Sequence, residues 1–115
     1  MRLEIKRVIL FVRDLDAVGA FYRDQLGLPV KEKPNEPGWL ELDAGTCTLA
    51  LHSGGEPNQA RRPPKIVFAS KDVGLTRSEL IKRGVRLTPV RAFEGLEFCD
   101  GKDPEGNLFQ ISNRT

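Results

Sequence analysis

One histidine, two cysteines and a scatter of carboxylates are the groups in this chain that could do chemistry, and their spacing limits it. His52 stands alone, so a metal centre built on imidazole would have at most one such ligand per chain. A lone imidazole at a strand end is more often solvated or hydrogen-bonded than a ligand, although imidazole also serves as a general base near neutral pH. Cys47 and Cys99 fall in no Cys-x-x-Cys motif, and each suits the role of small apolar filler better than that of nucleophile. They read as free thiols of a reducing compartment. Glu41 and Glu97 neighbour apolar strand residues, and nothing in their spacing marks an acid–base pair. Trp39, the only tryptophan, follows a loop and suits either stacking on a planar ligand or plugging an interface between two copies.

The elements that must position these groups announce themselves by repetition. Residues 8–15 read Val-Ile-Leu-Phe-Val-Arg-Asp-Leu, and residues 66–73 read Ile-Val-Phe-Ala-Ser-Lys-Asp-Val. Each is an apolar strand run, a basic residue, an Asp and an apolar residue, with a glycine (Gly27 or Gly84) after the helical stretch that follows. The two aspartates are 72 − 14 = 58 positions apart, half of a 115-residue chain. Neither half is large enough to bury a core by itself.

The first half predicts a strand over 4–13, then a helix capped by Asp14, with Val18, Phe21, Tyr22 and Gln25/Leu26 as its apolar stripe. Gly27 ends it in a left-handed cap and Pro29 prevents continuation. A strand over 28–33, a loop over 34–38 and a hairpin of 39–43 with 46–52 follow. Residues 54–64 carry Gly, Asn, Gln, prolines and Arg61-Arg62 without periodicity, and read as a linker between modules of about 1–53 and about 65–115. The second half predicts a strand over 65–70, a helix from Val73 to Arg83 capped by Asp72 with Leu75, Leu80 and Ile81 inward, and strands over 85–89, 94–100 and 107–112. Asp103-Pro104-Glu105-Gly106 has the residues of a type I turn.

Composition narrows the class. With 39% hydrophobic and 30% charged residues the chain is an ordinary globular domain rather than a disordered one. A net charge of +2 with one adjacent arginine pair, set among prolines, points away from nucleic acid. No apolar run reaches the length of about eighteen residues that a membrane-spanning helix needs, so no membrane role is expected. Charges run through the opening Met-Arg-Leu-Glu-Ile-Lys-Arg, where a signal peptide would be apolar, which predicts a cytoplasmic protein.

Val12-Arg13-Asp14-Leu15, Phe21-Tyr22-Arg23-Asp24-Gln25-Leu26-Gly27-Leu28 and Asp103-Pro104-Glu105-Gly106-Asn107-Leu108, in this order, resemble the vicinal oxygen chelate superfamily of glyoxalases, bleomycin resistance proteins and extradiol dioxygenases. The resemblance covers essentially the whole chain. It implies an α+β fold of two βαβββ modules in tandem, whose curved mixed sheets form a cup, and commonly a homodimer. It also implies a divalent metal held by His and Glu from the first and last strands of each module. At the matching positions this sequence has Arg7, Ala50, Lys65 and Gln110. Arginine offers no lone pair and lysine offers none while protonated, so the usual metal site is expected to be missing and no cofactor is expected.

Strand parity puts Arg7, Ile9 and Phe11 on one face of the first module, with Lys65, Val67 and Ala69 on the corresponding face of the second. Thr48, Ala50 and His52 share a face, as do Leu108, Gln110 and Ser112. Two readings follow. In one, Arg7, Phe11, Trp39, Ala50, His52, Lys65 and Gln110 line a pocket for a small, anionic or oxygen-rich molecule with a hydrophobic body. In the other, Arg7 and Lys65 pair with Glu41, Glu97 or Asp100 across the sheet and close the cavity. The leading functional expectation is a metal-free member that binds or sequesters a small molecule. The alternatives are a superfamily enzyme (lyase, dioxygenase or isomerase) with a relocated metal site built from His52, Glu41 or Asp100, and a domain acting through its surface.

Overall fold

Two aspartates start the two main helices in the same way. Asp14 and Asp72, both in extended backbone, each turn a carboxylate back onto the amide three residues on, Ala17 and Leu75, at 3.0 Å. Strand β1 (Arg7–Val12) leads into α1 (Leu15–Ala20), and strand β4 (Ile66–Ala69) leads into α2 (Val73–Lys82). The computed structural model describes residues 2, 4–32, 36–54 and 64–114. The chain forms two compact units, Met1–Asn58 and Gln59–Thr115. Most of the predicted linker, residues 55–63, and residues 33–35 of the predicted strand and loop lie outside the described residues.

In the first unit α1 runs on as a π-helical turn over Phe21–Gln25. Gly27, at φ 80°, reverses the chain there, and the Leu28 amide reaches back to the Tyr22 carbonyl at 2.9 Å, the closing bond of a left-handed cap. Strands β2 (Trp39–Asp43) and β3 (Thr48–Ser53) complete a mixed sheet of order β1-β3-β2, with β1 parallel and β2 antiparallel to β3. Leu10, Val12, Leu42, Leu49 and Leu51 turn to one side and bury with Val18, Phe21 and Tyr22. The close approach of Gly19 belongs to the same packing: a Cβ there would meet Leu40 Cδ2 at 2.8 Å.

The second unit repeats the plan with one addition. Its sheet has the order β4-β7-β6-β5, built from β5 (Arg91–Phe93), β6 (Leu96–Lys102) and β7 (Leu108–Ser112), with β4 parallel to β7. Val73, Leu80, Val85, Cys99, Phe109 and Ile111 form its core. Asp103, buried in the β6–β7 turn, accepts the Glu105 and Asn107 amides at 2.9 Å and the Asn107 side chain at 2.7 Å. That is the physical content of the Asp-Pro-Glu-Gly-Asn word: it builds a loop.

Several predicted elements change. The strand expected over 28–33 shrinks to a single bridge, Val30 to Leu42, because its run offers one apolar residue between Pro29 and charged side chains. The strand expected over 85–89 likewise shrinks to Leu87 against Gly101. β5 takes over pairing with β6 through a two-residue turn, Glu94 and Gly95, both at positive φ. Leu75 and Ile81, expected inward, are exposed, and Leu80 alone of the three is buried.

Candidate functional site

The sheet face turned away from the buried core carries the residues that matter in each unit. In the first, register sets three rows across β1, β3 and β2: Arg7, Thr48 and Asp43; Ile9, Ala50 and Glu41; Phe11, His52 and Trp39. The last row is an aromatic shelf. The His52 ring lies 5.6 Å from Phe11, tilted by 35°, and 5.6 Å from Trp39, edge-on at 88°. His52 Nδ1 is 2.6 Å from the Ser53 carbonyl oxygen, which can only accept, so Nδ1 carries the proton and a neutral ring leaves Nε2 as an acceptor. Phe11 is 59% and Ile9 42% exposed, more than their large apolar side chains would keep in a core.

Across the middle of this face runs an ion pair. Arg7 Nε donates to Glu41 Oε1 at 2.8 Å, with the Arg7 side chain 39% and the Glu41 side chain 2% exposed. By register it crosses β3 between Thr48 and Ala50, and the small Ala50 side chain is fully covered. Beside it, Lys31 donates through Nζ to Thr48 Oγ1 at 2.7 Å, and its amide donates to the Glu41 carbonyl.

The second unit has a looser counterpart. Val67, Gln110 and Asp100 share one row; Ala69, Ser112, Phe98 and Arg91 share the next. Lys65 Nζ lies 3.2 Å from Asp100 Oδ1, which also accepts from Gln110 Nε2 at 3.0 Å. Thr88 holds Asp100 from the backbone side, accepting the Asp100 amide on Oγ1 and donating its own main-chain N–H to the Asp100 carbonyl. Thus Glu41 opposite Ala50 corresponds to Asp100 opposite Gln110, and each unit ties the cation before its first-strand core to an acid two strands away.

These residues do not fit a divalent metal. Arg7, Lys65, Ala50 and Gln110, the positions at which the resemblance implies ligands, hold a guanidinium and an ammonium already bound to carboxylates, a methyl group and an amide that itself donates. Among the described residues no three His, Cys, Asp or Glu side chains gather closely enough to share an ion. Of the two sequence readings for Arg7 and Lys65, the structure has the pairs with Glu41 and Asp100. Phe11, Trp39, Ala50, His52 and Arg7 come together on one face, and Lys65 and Gln110 on the face of the other unit. Glu97 alternates to the opposite side of β6 from Asp100. Sequence reasoning placed Lys31 in the strand expected over 28–33 but missed its bond to Thr48, because that contact depends on how the segment meets β3.

The chain belongs to the glyoxalase/bleomycin resistance protein/dioxygenase superfamily, whose family model matches residues 4–111. Solved structures agree on the fold. Lactoylglutathione lyase from Agrobacterium tumefaciens is 24% identical, with 97% of this chain and 94% of that one covered and a TM-score of 0.76. UcmS2 is 20% identical over 99% and 100%, at 0.81. TnmS3, an antibiotic binding protein from Streptomyces sp. CB03234, is 17% identical over 96% and 94%, at 0.79. No protein of curated function matches the chain at a comparable level.

Proposed function

We propose that this protein is a metal-free member of the superfamily that binds or sequesters a small molecule with a planar body on the aromatic shelf of its first unit. The observation that carries this reading is the row Phe11, His52 and Trp39, with Phe11 and His52 exposed and Trp39 half-buried beside the exposed Ile9, on a face whose Arg7 and Glu41 are paired with each other. Exposed aromatic rings on rigid strands give a planar ligand contact area at little entropic cost. The Arg7 guanidinium, held by Glu41 on the same face, adds a side chain of the kind that stacks on planar groups. Because Glu41 neutralises Arg7 and Asp100 neutralises Lys65, stacking leads the recognition and the charge of these two cations adds little. The likeness to an antibiotic binding protein supports the same reading.

Two measurements test it. Metal analysis of purified protein is expected to return no stoichiometric zinc, nickel, manganese or iron; one equivalent would favour the enzyme with a relocated metal site. A thermal-shift screen with planar aromatic compounds is expected to raise the melting temperature of the wild type and not of Trp39→Ala. We read the protein as a cytoplasmic homodimer, with free Cys47 and Cys99 in keeping with a reducing compartment. No helix among the described residues is long and apolar enough to cross a membrane.

A further inference from the structure

Lys31 and Thr48 hold protons that nothing described accepts. A lysine ammonium has three N–H donors and no lone pair; a threonine hydroxyl has one donor and two lone pairs. The Lys31–Thr48 bond at 2.7 Å uses one lysine proton and one hydroxyl lone pair. Neither side chain has another hydrogen-bond or ion-pair partner among the described residues, which leaves two N–H groups and one O–H aimed from the same spot. Thr48 is buried in the sheet face and Lys31 half-buried beside it, so both are held in place.

The other charged groups of this face are already engaged. Arg7 is bound to Glu41, and Asp43, opposite Thr48 in register, accepts the Gly45 amide on Oδ1 at 2.8 Å in its own turn. Among the described residues of this face, Lys31 is the cation whose charge is not matched by a bonded carboxylate. An ionised oxygen is what three such donors select, and a carboxylate can take two of them at once. Thr48 and His52 lie four residues apart on one face of β3, roughly 13 Å along the strand. A ligand with its acid group at Lys31 and Thr48 would run over the Arg7–Glu41 pair to the aromatic shelf.

We infer that Lys31 and Thr48 form the acid-binding end of the site, so that the ligand is an aromatic carboxylic acid. This inference rests on the planar-ligand reading above and adds the group that gives it polarity. The test is calorimetric titration of the full chain with biphenyl-4-carboxylate and with biphenyl-4-carboxamide, which share a shape and differ in charge. Wild type should bind the acid roughly tenfold or more tighter than the amide. Lys31→Met should erase that ratio, weakening the acid far more than the amide, and Thr48→Ser, which keeps the hydroxyl, should preserve it; circular dichroism confirms that each variant folds. An amide bound as tightly as the acid, with loss of both on Trp39→Ala, would leave the aromatic shelf standing and overturn the role of Lys31. A Lys31→Met variant that still prefers the acid overturns it too. If neither compound binds wild type, the planar-ligand reading fails and this inference falls with it.

Discussion

Burial decides how much each ionised residue contributes here. Glu41 and Asp100 both accept from a cation, but the Glu41 side chain is 2% exposed and that of Asp100 26%. Arg7→Ala withdraws a charge-assisted bond from a carboxylate that water barely reaches, so a loss of about 1–3 kcal/mol is expected in urea melts. Lys65→Ala leaves Asp100 with Gln110 and with solvent, and should cost less than about 1 kcal/mol. Asp103→Ala removes the acceptor for three N–H groups of the β6–β7 turn and should cost about 2–3 kcal/mol, partly recovered in Asp103→Asn. Cys99 gives a pH dependence. Burial pushes its thiol above the ordinary value, against the opposing pull of the Arg77 guanidinium. The folded chain then keeps a proton that the unfolded chain releases, so this contribution to stability is whole below about pH 8.5 and declines as the pH rises beyond it. Urea melts across that range check the sign, and Cys99→Ala should flatten the decline.

At the scale of elements, sequence pattern spoke clearly wherever a segment buries one face. Trp39–Asp43 forms as a strand where alternation predicted it, and the Asp14 and Asp72 caps sit where a short acid precedes an apolar helix. It spoke poorly where pairing depends on a neighbour. β5 was not legible because Glu94-Gly95 is not the Asn-Gly or Asp-Gly pair that marks a two-residue turn. An L-residue at φ 48° carries a steric penalty, so Glu94→Asn should stabilise the hairpin by about 0.5–1 kcal/mol, seen as a higher melting temperature. Gly101 tests the core side of β6. A Cβ there would stand 2.6 Å from Phe109 Cζ and 3.0 Å from the Arg86 carbonyl oxygen, and a backbone atom cannot rotate away. Gly101→Ala is expected to cost about 1–3 kcal/mol by the same melts.

At the scale of the whole molecule, each unit carries the same device: Arg7 with Glu41 in one, Lys65 with Asp100 in the other. Urea melts of the double variant Arg7→Ala, Lys65→Ala are expected to show a loss within about 0.5 kcal/mol of the summed single losses if the pairs act independently, and a larger deviation if they are coupled. The sequence by itself determined the repeat, the helix caps and the superfamily, because these depend on residue type and on local periodicity. Only the tertiary structure decided what Arg7 and Lys65 meet. Whether Arg7 reaches out to a ligand or across to Glu41 depends on which strands flank β3 and in what register, and the same register brings Phe11, His52 and Trp39 into one row and Lys31 onto Thr48. Those contacts join residues far apart in the chain, and strand register, unlike strand propensity, is set by the sheet as a whole.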